Sequence, residues 1–358
     1  MFERLSNADL ATAVDEMVAS LGVKEEAPFA SLTVMLEKGN TQACVQEIAC
    51  RLGLPILISV SYVTKDFRPG NAAGFRSSSL SRTDWTGHSI EGIIAQVSIP
   101  ESLPLYGSAS LSGYPIGVRV SEGCSDRPET FIAIMAHELS HVLLRALRHP
   151  QRESELHTDL VPILLGFGHC VGRGRKSVRT ENNANGTTTH TTTYGYLTDS
   201  QFEFVYQRVS GVLQRHNSDK KRLLALIAQV NGSLRKTTGR LASFRDYLAY
   251  VHSHLTGKMK ATDACRIVGF HRWDYTRDWE GSIANTRTQV EESTVFAESL
   301  VHYTSNVVVR IGQRRLALEM TLDRLRQVSD AITLDVKTLR RYVNPIYRLK
   351  RALSLQRQ

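Results

Sequence analysis

Cysteine, proline and long apolar runs are all scarce in this chain of 358 residues. Its five cysteines are scattered, odd in number and form no Cys-x-x-Cys pair, which argues against a disulfide framework and against a cysteine zinc site. No stretch reaches the roughly 18 apolar residues that a membrane-spanning helix needs. The first residues carry acids where a secretory signal has a basic and then an apolar stretch. We therefore expect a cytoplasmic globular protein that does not bind membranes.

Acidic residues are also scarce in the second half of the chain. The net charge is +9, but residues 199–358 contain 27 Lys and Arg against 15 Asp and Glu, whereas residues 1–198 contain 17 against 20. This asymmetry favours an acidic partner for the C-terminal half, either a nucleic acid or an acidic protein. The solvated faces of a helical bundle would explain the same basic residues, so both interpretations stay open. The basic clusters stand at residues 220–222, 314–315, 340–341 and 348–351.

Hydrophobic periodicity predicts mixed secondary structure in the N-terminal half. Apolar residues recur at helical spacing in residues 1–53 and again from Phe131 onwards. Pro162 is expected to kink or end the second of the later helices, because it removes a backbone donor. Residues 172–195 are polar, rich in Thr, Asn and Gly, and predict a mobile loop. Three stretches rich in Ile and Val are typical of strands, at residues 54–63, 92–99 and 116–120.

The C-terminal half predicts long helices. Three segments are amphipathic, and the last of them has an apolar stripe close to that of a coiled coil. Such helices fit a partner-docking module or a homo-oligomer equally well. The sequence therefore predicts two domains, an α+β domain over residues 1–198 with a core at about 40–170, and a basic helical domain over residues 199–358. The three amphipathic segments are residues 199–216, 219–256 and 283–342.

The pattern that carries chemistry is His-Glu-Leu-Ser-His at residues 137–141. On a helix, residues i and i+4 share a face, so His137 and His141 can present their imidazoles to one metal ion. Glu138 can reach a water at that ion without being a ligand. Composition alone predicts about 0.02 occurrences of this pattern, and polar side chains within an apolar helix need a compensating partner. We therefore expect a zinc site with Glu138 as the general base.

Zinc needs a third protein ligand, and Glu155 is the candidate that the sequence favours. Glu155 and Asp159 are again i and i+4, on a helix that a short turn would pack antiparallel to the first. Asp159 can then accept the spare N–H of a ligand histidine and orient it. His157 points about 200° away around that helix, and Glu153 is offset in a similar way. A metzincin would need a histidine at position 147, where Leu147 stands.

The order His-Glu-x-x-His followed by Glu-x-x-x-Asp resembles the gluzincin metallopeptidases. Residues 40–170 also resemble the small intracellular metallopeptidases of the ImmA/IrrE type. The resemblance lies in the order of a helix ending in RLGLPI, short strands and then the helix that carries His-Glu-Leu-Ser-His. The resemblance implies a zincin-like domain with a short mixed sheet and active-site helices, and cleavage of a protein partner. It also implies that His137, His141 and Glu155 are the zinc ligands, that Glu138 is the base and that Asp159 orients His137.

Peptide hydrolysis also needs a donor that stabilises the oxyanion. The candidates are Tyr194 and Tyr196, with His190 and Tyr106 as weaker ones. We expect a zinc endopeptidase that acts on an intracellular protein or peptide. Two alternatives stay open: a non-catalytic regulator with a structural metal site and a basic helical domain that binds nucleic acid or protein, and another zinc hydrolase such as an amidase.

Overall fold

The computed structural model describes residues 5–63, 75–78, 95–122, 124–183, 186–255 and 274–355. Within these ranges the chain is mixed α/β and mostly helical. It divides into two compact units: an N-terminal unit of Met1–Arg215 with Val301–Ser305, and a helical unit of His216–Leu300 with Asn306–Gln358. Among the described residues, no helix combines the length and the apolar character that crossing a membrane requires.

The elements follow one another in a mixed order. The helices are α1 Asn7–Leu21, α2 Phe29–Glu37, α3 Thr41–Arg51, α4 Pro128–Ala146, α5 Glu155–Pro162, α6 Gly168–Gly174, α7 Asp199–Leu255, α8 Asp274–Glu298 and α9 Ser305–Leu355. The strands are β1 Val23–Lys24, β2 Leu57–Val63, β3 Phe75–Ser78, β4 Ala95–Ile99, β5 Pro115–Ser121, β6 Lys176–Asn183, β7 Gly186–Thr193 and β8 His302–Tyr303.

The main sheet of the N-terminal unit has four strands in the order β2-β5-β4-β3. Strand β2 is parallel to β5, with Leu57 opposite Pro115, whereas β4 is antiparallel to both β5 and β3. The three stretches predicted as strands correspond to β2, β4 and β5. The sheet is therefore short and mixed, as the sequence predicts.

Two glutamines of α3 cover the outer edge of β2. Gln46 donates to the Ile56 carbonyl at 2.8 Å and accepts from the Ile58 amide at 2.9 Å. Gln42, one turn earlier, donates to the Ile58 carbonyl at 2.5 Å and accepts from the Val60 amide at 2.9 Å. A side-chain amide has the same donor and acceptor as a peptide group, so the pair replaces a neighbouring strand. An edge of unpaired backbone groups would otherwise invite pairing with another chain.

Helix α4 forms the centre of the N-terminal unit. Pro128 stands in its first turn, where a missing N–H costs nothing. Nearly every later side chain of α4 is buried, Phe131 completely, because α3, α5, α6 and β4 all pack around it. This burial places the metal-binding pattern in the interior, where polar groups need partners.

Helical geometry is lost shortly after Pro162, at Leu165 and Gly166. Helix α5 ends at Pro162, and a kinked turn, Ile163–Phe167, leads to α6. Gly166 in that turn has a φ of +90°, and its carbonyl accepts from the Ala27 amide. A side chain there would collide with the Glu25 carbonyl, so the turn requires glycine.

The polar segment 172–195 is not a loop. Strands β6 and β7 form an antiparallel hairpin within it, with Lys176 opposite Thr193 and Asn183 opposite Gly186. The physical reason is the repeated threonine, since β-branched residues favour extended backbone even without an apolar period. The prediction relied on apolar periodicity, which this hairpin does not need.

The helical part differs from the prediction in two places. Segments 199–216 and 219–256 are one helix, α7, within the described residues. Segment 283–342 is not one helix, because it breaks between α8 and α9. There Tyr303 is fully buried and pairs with Val23 of β1, so tertiary pairing overrides the helical pattern.

Within the helical unit, α8 runs antiparallel to α9. Thr321 of α9 contacts Gln289 of α8, and Arg314, about two turns earlier on α9, contacts Glu292 of α8 at 2.9 Å. Several residues of the basic clusters have partners in this unit. Lys220 donates to a backbone carbonyl at 2.7 Å, and Arg315 lies 3.7 Å from an aspartate, so part of the basic charge is compensated locally.

The glutamine cover of β2 predicts a reciprocal pattern of amide exchange. Gln46→Ala should speed hydrogen exchange at the Ile58 amide by about fivefold and leave Val60 protected, because one hydrogen bond is worth about 1 kcal/mol. Gln42→Ala should do the reverse, so each variant is the control for the other. Site-resolved hydrogen exchange measures both amides, and equal protection of Ile58 in wild type and Gln46→Ala would contradict this account.

Candidate metal centre

Three side chains from two helices meet at one point in the N-terminal unit. His137 and His141 lie on α4, and Glu155 is the first residue of α5. Atom Oε2 of Glu155 is 3.4 Å from Nε2 of His137 and 3.4 Å from Nε2 of His141. One potential ligand atom from each residue lies within 4.8 Å of the others. The predicted ligands are therefore brought together.

These distances fit a metal ion better than they fit hydrogen bonds. Neither contact is a hydrogen bond, because the buried Oε2 of Glu155 has no hydrogen-bond partner among the described residues. Two ligands at about 2.0–2.1 Å from a tetrahedral ion stand about 3.3 Å apart. Two imidazole nitrogens and one carboxylate are also the donors that zinc prefers in sites that keep one open position. The residues present therefore fit a zinc ion.

The turn between the helices sets this arrangement. After α4 the chain reverses through Arg148, whose φ is +52°, and the His149 amide still bonds back to the Leu144 carbonyl. Ser154 then precedes α5, and its carbonyl accepts from the Thr158 amide. Helix α5 begins at Glu155, so the Glu155 carboxylate lies at the N-terminal end of α5, next to α4.

Asp159 orients His137. Its Oδ1 lies 2.7 Å from Nδ1 of His137, and its Oδ2 accepts from the backbone amides of Tyr196 at 2.5 Å and Leu197 at 3.2 Å. Gly195, with φ +85°, allows this wrapping, because a side-chain carbon there would be 3.3 Å from both carboxylate oxygens. A carboxylate held in this way fixes Nδ1 of His137 as the donor and turns Nε2 towards the cluster.

The charges of the cluster depend on one another. Burial opposes a charged imidazole, but the hydrogen bond to Asp159 and the nearby carboxylates of Glu155 and Glu138 outweigh burial and raise the pKa of His137 to about 10. Burial also opposes charge on Glu155, but the two imidazoles lower its pKa to about 2. In the metal-free protein at neutral pH, a protonated His137 therefore faces an ionised Glu155. A bound cation would take over the role of that proton.

Glu138, the predicted base, is completely buried. It follows His137 directly on α4, and its charge contributes to the raised pKa of that imidazole. A carboxylate is costly to bury unless charges or donors surround it. Its position beside a ligand histidine, in the interior, is compatible with the predicted role.

The structure separates the two tyrosine candidates. The ring of Tyr196 lies beside His137, with centroids 6.1 Å apart. Tyr194 is 7% exposed, and its hydroxyl has no hydrogen-bond partner among the described residues. Tyr106 bonds through its amide to the carbonyl of Ala146, the last residue of α4. The side chain of His190 lies outside the described ones.

The rejected ligand candidates have other contacts. His157 lies 2.8 Å from the Ser154 hydroxyl and 3.9 Å from a carboxylate oxygen of Glu16. Glu153 forms an ion pair with Arg145 at 2.5 Å on the surface. Neither belongs to the metal cluster, which is what their positions on the helix predict.

Sequence reasoning missed several residues that support the cluster. Thr158 lies 3.4 Å from Nδ1 of His141. Arg175, 5% exposed, donates to the carbonyls of Leu197 and Thr198 and so holds the segment that wraps Asp159. The spacing of Glu155, Thr158 and Asp159 predicts that they share one helix face. The sequence does not predict which backbone amides Arg175 holds in place.

Comparison of the chain with protein-family models, with curated proteins and with solved structures found no match in any of the three. The metal cluster is compatible with the His-Glu-x-x-His pattern. The resemblance to gluzincins and to the ImmA/IrrE type stays a prediction.

The cluster predicts one zinc ion per chain. His137→Ala and His141→Ala should each lose stoichiometric zinc, because the remaining two ligands hold the ion poorly. His157→Ala is the matched control and should retain it, because His157 contacts Ser154 instead. Elemental analysis of purified, folded protein measures the zinc content. Full zinc in His141→Ala would contradict the assignment.

Zinc binding should release protons at neutral pH. His137, with its pKa raised to about 10, is protonated at pH 7 and must lose that proton to become a ligand, whereas Glu155, with its pKa lowered to about 2, is already ionised. We expect at least about one proton released per zinc at pH 7, and an apparent affinity that rises with pH from 6 to 8. Calorimetric titration in buffers of different ionisation enthalpy counts the protons. Binding without proton release would show that His137 is neutral in the metal-free protein.

Proposed function

We propose that the protein is a zinc-dependent endopeptidase of the gluzincin kind, similar to the ImmA/IrrE type. The observation that carries the proposal is that Oε2 of Glu155 lies 3.4 Å from Nε2 of both His137 and His141, with a buried Glu138 beside them. A structural zinc site is closed by four protein ligands, whereas three ligands leave a position for water. Within the described residues the cluster contains three, which favours a catalytic site.

Each residue has a distinct role in the proposed reaction. A zinc ion bound there would polarise the scissile carbonyl and make the attacking water more acidic. Glu138 accepts the proton of that water and returns it to the leaving amine. Asp159 holds His137 in the tautomer that directs Nε2 to the ion.

Tyr196 is the better candidate for stabilising the oxyanion. Its ring lies against a ligand imidazole, and its amide is fixed by Asp159, so its position depends directly on the cluster. Tyr194 is held through its amide by the Arg175 carbonyl at 2.7 Å, and its hydroxyl is buried. A preorganised donor of this kind is worth about 10²–10³ in kcat.

The substrate we propose is an intracellular protein or peptide, and the helical unit is the module that we propose for docking a partner. The ion pairs of Arg314 with Glu292 and of Arg315 with Asp219 compensate part of its basic charge, which weakens the case for a nucleic acid. A non-catalytic regulator remains the contrasting hypothesis, since it requires no base at Glu138.

The decisive experiment compares wild type with Glu138→Gln. This variant should retain zinc, because Glu138 is not a ligand, and lose cleavage by about 10²–10⁴, because it cannot accept the proton of water. The probe is a peptide library made from digested cell extract, with new amino termini identified by mass spectrometry.

Glu153→Gln is the matched control. Its carboxylate is 57% exposed and pairs with Arg145 on the surface, so cleavage should stay at the wild-type rate. Equal cleavage by Glu138→Gln and wild type would exclude the proposed base. The absence of new termini with zinc-loaded wild type would favour the non-catalytic hypothesis.

A further inference from the structure

The second ligand histidine has a contact of its own on α5. The hydroxyl oxygen of Thr158 lies 3.4 Å from Nδ1 of His141, and both side chains are completely buried. Thr158 stands three residues after the ligand Glu155 and directly before Asp159, which contacts the other histidine. One face of α5 therefore presents a ligand and a contact to each of the two imidazoles of α4.

The direction of the Thr158 contact follows from counting hydrogens. A hydroxyl has one hydrogen to donate, and Thr158 gives it to the Ser154 carbonyl at 3.0 Å. Its oxygen can then only accept towards the imidazole, so the hydrogen of that contact belongs to Nδ1 of His141. A neutral imidazole with its hydrogen on Nδ1 has its lone pair on Nε2. That is the atom that lies 3.4 Å from Glu155.

We propose that Thr158 is a positioning residue that fixes the tautomer and the ring orientation of His141 for metal binding. The two histidines are then supported unequally, His137 by a charged carboxylate and His141 by a neutral hydroxyl. The inference rests on the metal site of the proposed function but not on peptide cleavage. Partners of this kind contribute about 10–100-fold to metal affinity.

The first test measures zinc affinity by competition with a chelator. Thr158→Val keeps the shape but removes the acceptor, so the zinc dissociation constant should rise at least about tenfold. Thr158→Ser keeps the hydroxyl and should stay within about threefold of wild type. Wild-type affinity in Thr158→Val, or equal weakening in Thr158→Ser, would overturn the proposal.

A matched control separates positioning from helix stability. Thr286 is also buried on a helix, and its hydroxyl also donates to the carbonyl four residues earlier, but within the described part of the chain it forms no hydrogen bond with a histidine. Thr286→Val therefore loses the same backbone contact and should bind zinc as wild type does. Weakening in Thr286→Val as large as in Thr158→Val would assign the effect to the fold.

The second test needs no variant. Long-range ¹H–¹⁵N spectra of the metal-free wild-type protein at pH 8 report which nitrogen of His141 carries the hydrogen. We expect Nδ1–H, and an Nε2–H tautomer would overturn the proposal. The first test measures zinc affinity and the second measures the tautomer of His141, whereas the Glu138→Gln experiment measures cleavage. A failure of the Thr158 proposal can therefore be distinguished from a failure of the proposed peptidase activity.

Discussion

The N-terminal unit is organised around the contact between α4 and α5. Helix α4 is buried almost all round, and its polar residues would be costly there without partners. Helix α5 supplies those partners from one face: Glu155 approaches both imidazoles, Thr158 contacts one of them and Asp159 the other. The helix begins at Glu155 and ends at Pro162, which confines these polar contacts to two turns. The candidate metal cluster and the core therefore depend on the same packing.

The candidate metal cluster could be predicted because its geometry is local. Two histidines at i and i+4, and then Glu155 and Asp159 at i and i+4, define faces of two helices, and a short turn leaves little choice in how those faces meet. The remaining support could not be predicted. The amides of Tyr196 and Leu197 that bond Asp159 are backbone groups, which every residue except proline possesses, so the sequence does not mark them.

The secondary structure was predictable where burial gives the sequence a periodic apolar pattern. It was not predictable where β-propensity or tertiary pairing decides the structure. Strands β2, β4 and β5 and helix α4 have apolar periodicity, and their positions follow from it. The β6–β7 hairpin is built on threonine, and the break before α9 depends on Tyr303 pairing with Val23, almost 300 residues away in sequence. The cover of β2 by Gln42 and Gln46 also depends on a tertiary approach that leaves no period. The mixed α/β class could still be predicted, because the central helix and the main sheet have the strongest apolar periodicity.

The charges around α4 explain how such a cluster stays formed without an ion. Glu155 and Asp159 both face His137, and like-charged carboxylates beside an apolar core would repel one another if nothing compensated them. These carboxylates raise the pKa of His137, so a proton on this imidazole would supply the compensation in the metal-free protein. A metal ion bound at this cluster would therefore compete with that proton for His137. Because these side chains already lie together, metal binding would need little free energy to assemble them. It would, however, have to displace the proton of His137.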